Sequence, residues 1–150
     1  MTGHDAICML IDVSSTGGNF LLNVGPDADG NLPLIQRNCL ESLSAWMAIN
    51  DTGIHDTEPV LQTIATPLGT GPKPVGTEPW VRWNRRDGDL FCFVEGTGSL
   101  VLPVDASTVD IASCQLLDGQ KVSIGADGTI DLKALKCQDV PVCLKLHIRV

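Results

Sequence analysis

Residues 15–30 read Ser15-Thr16-Gly17-Gly18-Asn19-Phe20-Leu21-Leu22-Asn23-Val24-Gly25-Pro26-Asp27-Ala28-Asp29-Gly30, and Pro33 follows. The glycine pair predicts a left-handed helix stop, Phe20 to Val24 a buried strand, and Gly25-Pro26 a turn toward a helix opened by Pro33. Upstream, Ala6, Ile7, Met9, Leu10 and Val13 gather on one side of a helix over 5–15. Downstream, Ile35, Cys39, Leu43, Trp46 and Met47 recur at three- and four-residue steps, which predicts a helix over 33–50. That spacing makes Trp46 and Met47 core residues and not the lining of a ligand pocket. The result is one helix-strand-loop-helix step of an α/β protein, in which loops after strands carry chemistry. A single parallel strand needs neighbours on both sides and cover on both faces, so this head is incomplete by itself.

From residue 57 to 78 the composition shifts to Pro59, Pro67, Pro72 and Pro74 among glycines and threonines, and Pro79 follows; this predicts a linker or extended crossover. Beyond it the apolar period becomes two. The runs 80–84 and 90–94 flank Asp87-Gly88, and 114–117 and 121–124 flank Asp118-Gly119; both read as hairpins, with a further turn at Asp127-Gly128. The last strand puts Val142, Leu144, Leu146, Ile148 and Val150 on one face and Cys143, Lys145, His147 and Arg149 on the other. The fold class is therefore mainly β: an antiparallel sandwich over 79–150, preceded by an incomplete helix-strand-helix head over 1–56 and a linker over 57–78.

The chain has 150 residues, 43% of them hydrophobic, and a net charge of −8. That acidity disfavours a phosphate backbone, no basic cluster exceeds Arg85-Arg86, and no nucleic-acid partner is expected. No run reaches the roughly 18 apolar residues of a membrane span, and the first 13 residues lack the basic start of a signal peptide. Asn50-Asp51-Thr52 is a formal glycosylation acceptor, which matters only on a secretory route, so the compartment stays open. Six cysteines, at 8, 39, 92, 114, 137 and 143, show no Cys-x-x-Cys pair. Buried thiols are expected, with a Cys137–Cys143 bridge across the Pro141 turn as the alternative. The one His at a recognised spacing, Cys143-x-x-x-His147, lies about 13 Å away along a strand, too far for one metal. His4, His55 and His147 are given no nucleophile to serve. No metal and no cofactor are expected.

The ordered series Met9 to Pro26 with Gly-Gly-Asn, Leu-Leu-Asn and Gly-Pro, then Asp29-Gly30, Pro33, Ala45-Trp46, Asn50 and Gly53-Ile54, resembles the end of the catalytic barrel in family 29 α-L-fucosidases. Val81-Arg82-Trp83 and Asp87-Gly88-Asp89 resemble the first hairpin of that family's carboxy-terminal β-domain. The detailed likeness covers residues 5–56; beyond Leu100 it is one of strand pattern. The resemblance implies a TIM-like barrel followed by a β-sandwich, with 1–56 a truncated (β/α) barrel remnant and 19–24 its final strand, and retaining hydrolysis of terminal α-L-fucose. That chemistry needs two carboxyl groups about 5 Å apart, one nucleophile and one acid/base. In the family these are an aspartate and a glutamate on earlier barrel strands, outside the region of likeness.

Carboxylates in the matching segment do not replace them. Asp29-Gly30 is a turn signature, Asp27 adjoins the proline turn, and Asp12 precedes the helix stop; no catalytic residue is assigned. The substrate-binding candidates are Asn23, at the strand's end on the catalytic face, and Phe20, an apolar wall for a sugar. Trp80 and Trp83, an odd number apart, fall on opposite strand faces, the outward one suited to interdomain packing. Expected partners are fucosylated glycans through a complete enzyme, and an upstream barrel polypeptide or a second copy of the chain. The alternative is a non-catalytic β-sandwich accessory or carbohydrate-binding module, which the lack of any aromatic residue beyond Phe93 except His147 weakens.

Overall fold

The computed structural model describes residues 1–69, 79–137 and 139–149; Val150 and residues 70–78 of the expected crossover, with Pro72 and Pro74, lie outside them. Helix α1 (Gly3–Ser15) opens with a capping box between Thr2 and Asp5. It ends in the expected left-handed stop: Gly17 has φ 80°, its N–H donates to Ser14 O, and Gly18 N–H donates to Val13 O at 2.9 Å. This pair of bonds closes the carbonyls of the last turn, and only glycine takes that φ without strain. Helix α2 (Leu34–Asn50) follows Pro33 and runs into a 3-10 turn, Asp51–Gly53.

Among the described residues seven strands follow: β1 (Glu58–Pro59), β2 (Trp80–Arg86), β3 (Asp89–Glu95), β4 (Ser99–Val101), β5 (Val109–Leu116), β6 (Thr129–Asp131) and β7 (Val142–Ile148). Five form an antiparallel sheet in the order β1-β2-β3-β7-β5, and β4 pairs with β6 in a small second sheet. The β2–β3 hairpin is in the expected register around Asp87-Gly88, with Asp87 at φ 54°. The second expected hairpin is only a turn. Gly119 takes φ 87° and Gln115 bridges Lys121, but 121–124 forms no strand, because Ile124 makes a single bridge to Ile130.

Alternation along the strands builds two cores. Val81, Trp83, Leu90, Cys92, Val94, Leu144 and Leu146 face the small sheet and close the sandwich with Leu100, Leu102, Ile130 and Leu132. Trp80, Phe91, Phe93 and Cys143 point the other way, where Ile7, Ile11 and Trp46 cover them. Both helices therefore cap the outer face of the large sheet. This explains why Trp80 and Trp83 occupy opposite faces as expected and are nevertheless both buried. It also explains why Cys8 and Ile11 join Ala6 and Ile7 as the buried face of α1, while Met9 is half exposed. The layers meet closely at Gly53: a Cβ there would lie 2.9 Å from Cys143 Sγ and 3.0 Å from the Phe93 ring. Gly53→Ala is expected to cost about 1–3 kcal/mol in urea unfolding, through overpacking of a rigid junction.

Two further expectations fail. Phe20 to Val24 is not a strand: residues 18–27 carry no ladder, because the parallel neighbours such a strand requires are not among the described residues. Ile35, expected in the core stripe of α2, is exposed, because it lies on the flank of the helix beside Leu22, Asn23 and Val24, away from the sheet. Nor is there a Cys137–Cys143 bridge. All six cysteines are buried thiols; Cys137 Sγ lies 3.4 Å from Leu132 O, and Cys143 packs among the rings of the helix-side core.

Candidate functional site

Three regions gather chemistry-bearing residues. The first is the segment between the helices. Asp27 Oδ1 accepts from the backbone N–H groups of Asp29 and Asn31, Gly30 turns at φ 83°, and Gln36 Oε1 accepts from Gly25 N–H at 2.8 Å. The Asp27 carboxylate is thus used to shape the turn, as its sequence context implies. Asn23 is exposed beside Leu22, Val24, Ile35 and Gln36, and Phe20 is half-buried. Apolar side chains dominate the surface here: Leu21 is 81% exposed, and Leu34, Ile35 and Val24 are exposed too.

The second region is a polar stripe on α1. His4, Cys8 and Asp12 recur every four residues and share one helix face. Opposite them stand Glu95 and Arg82, from the helix-facing side of β3 and β2. Arg82 Nε donates to Asp12 Oδ1 at 2.7 Å, and its Nη1 donates to the carbonyls of Val81 and Leu68. At the other end of the stripe, His4 Nε2 lies 2.9 Å from both Glu95 oxygens, Cys8 Sγ is 3.5 Å from that nitrogen, and Sγ is 3.7 Å from Glu95 Oε2. Glu95 and Cys8 are buried and His4 half-buried. The expectation that no histidine serves a cysteine is corrected here: His4-x-x-x-Cys8 has helical ligand spacing, a signal present in the sequence. Glu95 carried no such signal, because a β-strand 87 residues later brings it in.

The third region is a cavity of about 670 Å³ between α2 and the loops around 117–120 and 135–141, lined by His4, Trp46, Asn50, Leu117, Lys136 and Pro141 among others. It shares no lining residue with the depression beside Asn23. The thiols deeper in the fold are not nucleophiles. Burial pushes Cys114 up to about 12 and Cys137 up to about 11, and raises Cys92 and Cys143 well above the usual thiol range, so all four are protonated at neutral pH. His147, expected to stand apart from any metal, pairs with Asp89, which also binds Lys145 Nζ at 2.6 Å. Among the described residues, no helix is long and apolar enough to cross a membrane.

The first region decides the kinship. Residues 1–52, which contain both helix stops and the exposed segment, match the family model described as alpha-L-fucosidase. The amino-terminal third of this chain is similar to the α-L-fucosidase family. Plasma alpha-L-fucosidase of Rattus norvegicus is 33% identical over 57 residues, 38% of this chain and 12% of that protein. Alpha-L-fucosidase of Dictyostelium discoideum is 31% identical over 95 residues, 61% of this chain and 18% of that protein. In fold, all of this chain superposes on 35% of alpha-L-fucosidase isoenzyme 1 from Paenibacillus thiaminolyticus, with a TM-score of 0.77 at 21% identity. The chain spans less than a fifth of the curated relatives it matches, and about a third of the solved fucosidases. Among the described residues, the sheets and two helices do not close into a barrel, and in fold they match the carboxy-terminal domain of those fucosidase structures.

Proposed function

We propose that this chain is the non-catalytic end of an α-L-fucosidase, a retaining glycoside hydrolase that releases terminal α-L-fucose from glycoconjugates. In this reading residues 19–24 complete a barrel wall supplied by other polypeptide, and the nucleophile and acid/base lie outside these 150 residues. The observation that carries it is the unpaired apolar segment at Leu21 to Val24, inside the stretch that matches the family, with Leu34 and Ile35 exposed beside it. A strand sequence with bare edges and bare apolar faces is the surface of an unfinished sheet. The uses of the nearby carboxylates agree: Asp12 holds Arg82, Asp27 shapes a turn and Asp5 caps α1. In the complete enzyme Asn23 hydrogen-bonds a sugar hydroxyl and Phe20 forms an apolar wall, on the face where barrel loops gather. The accessory-module alternative finds less support, because Trp80, Trp83, Phe91 and Phe93 are all buried and offer no exposed ring for a sugar.

The purified chain is expected to give no turnover of an aryl α-L-fucoside and to self-associate in light scattering, with Leu21→Glu and Ile35→Glu together restoring a monomer. Appreciable turnover would overturn the placement of the carboxylates. A monodisperse wild-type monomer would count against the uncovered wall.

A further inference from the structure

We propose that His4, Cys8 and Glu95 bind a divalent metal ion of the zinc class, which fastens α1 to the end of β3. The proposal is independent of the fucosidase reading. It begins from a convergence of potential ligand atoms: His4 Nε2 lies 2.9 Å from both Glu95 oxygens and 3.5 Å from Cys8 Sγ, and the Cys8 thiol donates to Glu95 Oε2 at 3.7 Å. Hydrogen bonds alone do not require all three groups to meet at one point. Nor is this a nucleophile relay, which would use one ring nitrogen for the thiol and the other for the carboxylate. Donors that converge on one point are instead arranged as ligands.

The distances fit that reading. Zinc bonds of about 2.3 Å to sulfur and about 2.0 Å to nitrogen and oxygen, at tetrahedral angles, put sulfur about 3.5 Å from either partner and nitrogen about 3.3 Å from oxygen. The structure has 3.5 Å for sulfur to nitrogen, 3.7 Å for sulfur to oxygen and 2.9 Å for nitrogen to oxygen. Only the last must open, by a few tenths of an ångström, and the half-buried His4 ring can move. The donor set of one thiolate, one imidazole and one carboxylate suits zinc or cobalt, and disfavours magnesium and calcium, which prefer oxygen alone. Charge favours it as well. On binding, the Cys8 thiol gives its proton to solvent, and thiolate and carboxylate together neutralise the dication, so a neutral unit replaces a buried carboxylate. His4 also lines the 670 Å³ cavity, which gives a path for the ion and room for a water as fourth ligand.

The test is a cobalt titration of the full chain, stripped with chelator and kept in a thiol-free reductant. A thiolate-to-cobalt charge-transfer band saturating at one equivalent, and bleached by zinc, is expected. Cys8→Ser should abolish the band, while His4→Ala and Glu95→Gln should each weaken affinity by about 100-fold or more. Cys39→Ser, on the neighbouring helix, should leave the band intact, and circular dichroism should show each variant folded. If Glu95→Gln does not fold, His4→Ala carries the test, because its side chain is the most exposed of the three. Absence of a stoichiometric band, or a band that survives Cys8→Ser, overturns the proposal and leaves a hydrogen-bonded Glu–His pair.

Discussion

Trp46→Ala is expected to lower unfolding stability by about 3–5 kcal/mol, the range for removing a buried tryptophan. Against the 5–15 kcal/mol of a typical domain this is a large fraction. Trp46 is 7% exposed, its ring lies 6.0 Å from that of Phe93 with a 37° tilt, and its indole N–H donates to Pro141 O at 2.7 Å. It therefore bolts α2 both to the sheet and to the strap that leads into β7. Truncation opens a cavity and leaves the Pro141 carbonyl without its donor. Trp46→Phe separates the two effects: most of the packing stays, and the expected loss falls to about 1–3 kcal/mol, the cost of an unsatisfied buried acceptor together with a smaller ring. Urea unfolding measures both. Hydrogen exchange locates them: amides of α2 should lose protection ahead of those in β3 and β7. Equal losses for the two variants would place the energy in the hydrogen bond. No loss in either would mean that α2 is held by something other than this residue, and that Trp46 belongs to the cavity as a ligand wall.

Much of this architecture was legible. The period of four at Cys39, Leu43 and Met47 with Trp46 marked α2, and the glycine pair at 17–18 marked the end of α1, because both are local devices whose physics acts within one turn. The unbroken apolar run from Leu90 to Val94 after the Asp87-Gly88 turn marks β3. That run puts apolar residues on both faces, which is the mark of a strand covered twice, and here the helices supply the second cover. The strand expected at Phe20 to Val24 failed for the opposite reason. Its apolar run is a property of the segment, but a strand is a property of neighbours. The α1 stripe of His4, Cys8 and Asp12 is visible in the sequence only as spacing, because the strand residues that complete it lie 91 positions from His4, 87 from Cys8 and 70 from Asp12. Asn84 adds a further grip, reaching Ser14 Oγ and Gly53 O from the same side of β2. Such contacts are made by topology, and no pattern within either segment encodes them.

Arg82→Met is expected to be the more informative break in that stripe, at about 2–4 kcal/mol. The Arg82 side chain is 10% exposed and Asp12 is 29% exposed, at a separation of 2.7 Å. Removing one partner of a buried pair costs about 3–5 kcal/mol, mainly by stranding the other charge. Asp12 keeps some access to water, which reduces that part of the cost. The carbonyls of Val81 and Leu68 do not gain it so readily, and Trp80 loses the guanidinium that sits 4.8 Å from its ring centre. Asp12→Asn should therefore cost less, about 1 kcal/mol, because Arg82 keeps its carbonyl acceptors. Arg82→Lys should not rescue the loss, since a single ammonium cannot span Asp12 and the carbonyls at once. If the two single losses instead match and the double variant costs no more than either, the ion pair alone carries the energy. If Arg82→Lys behaves as wild type, the fork geometry is irrelevant and the joint between α1 and β2 is held by apolar packing. The expected ranking, Met worst, Lys close behind and Asn mild, follows from one arginine serving three elements: α1, β2 and the segment at 68–69.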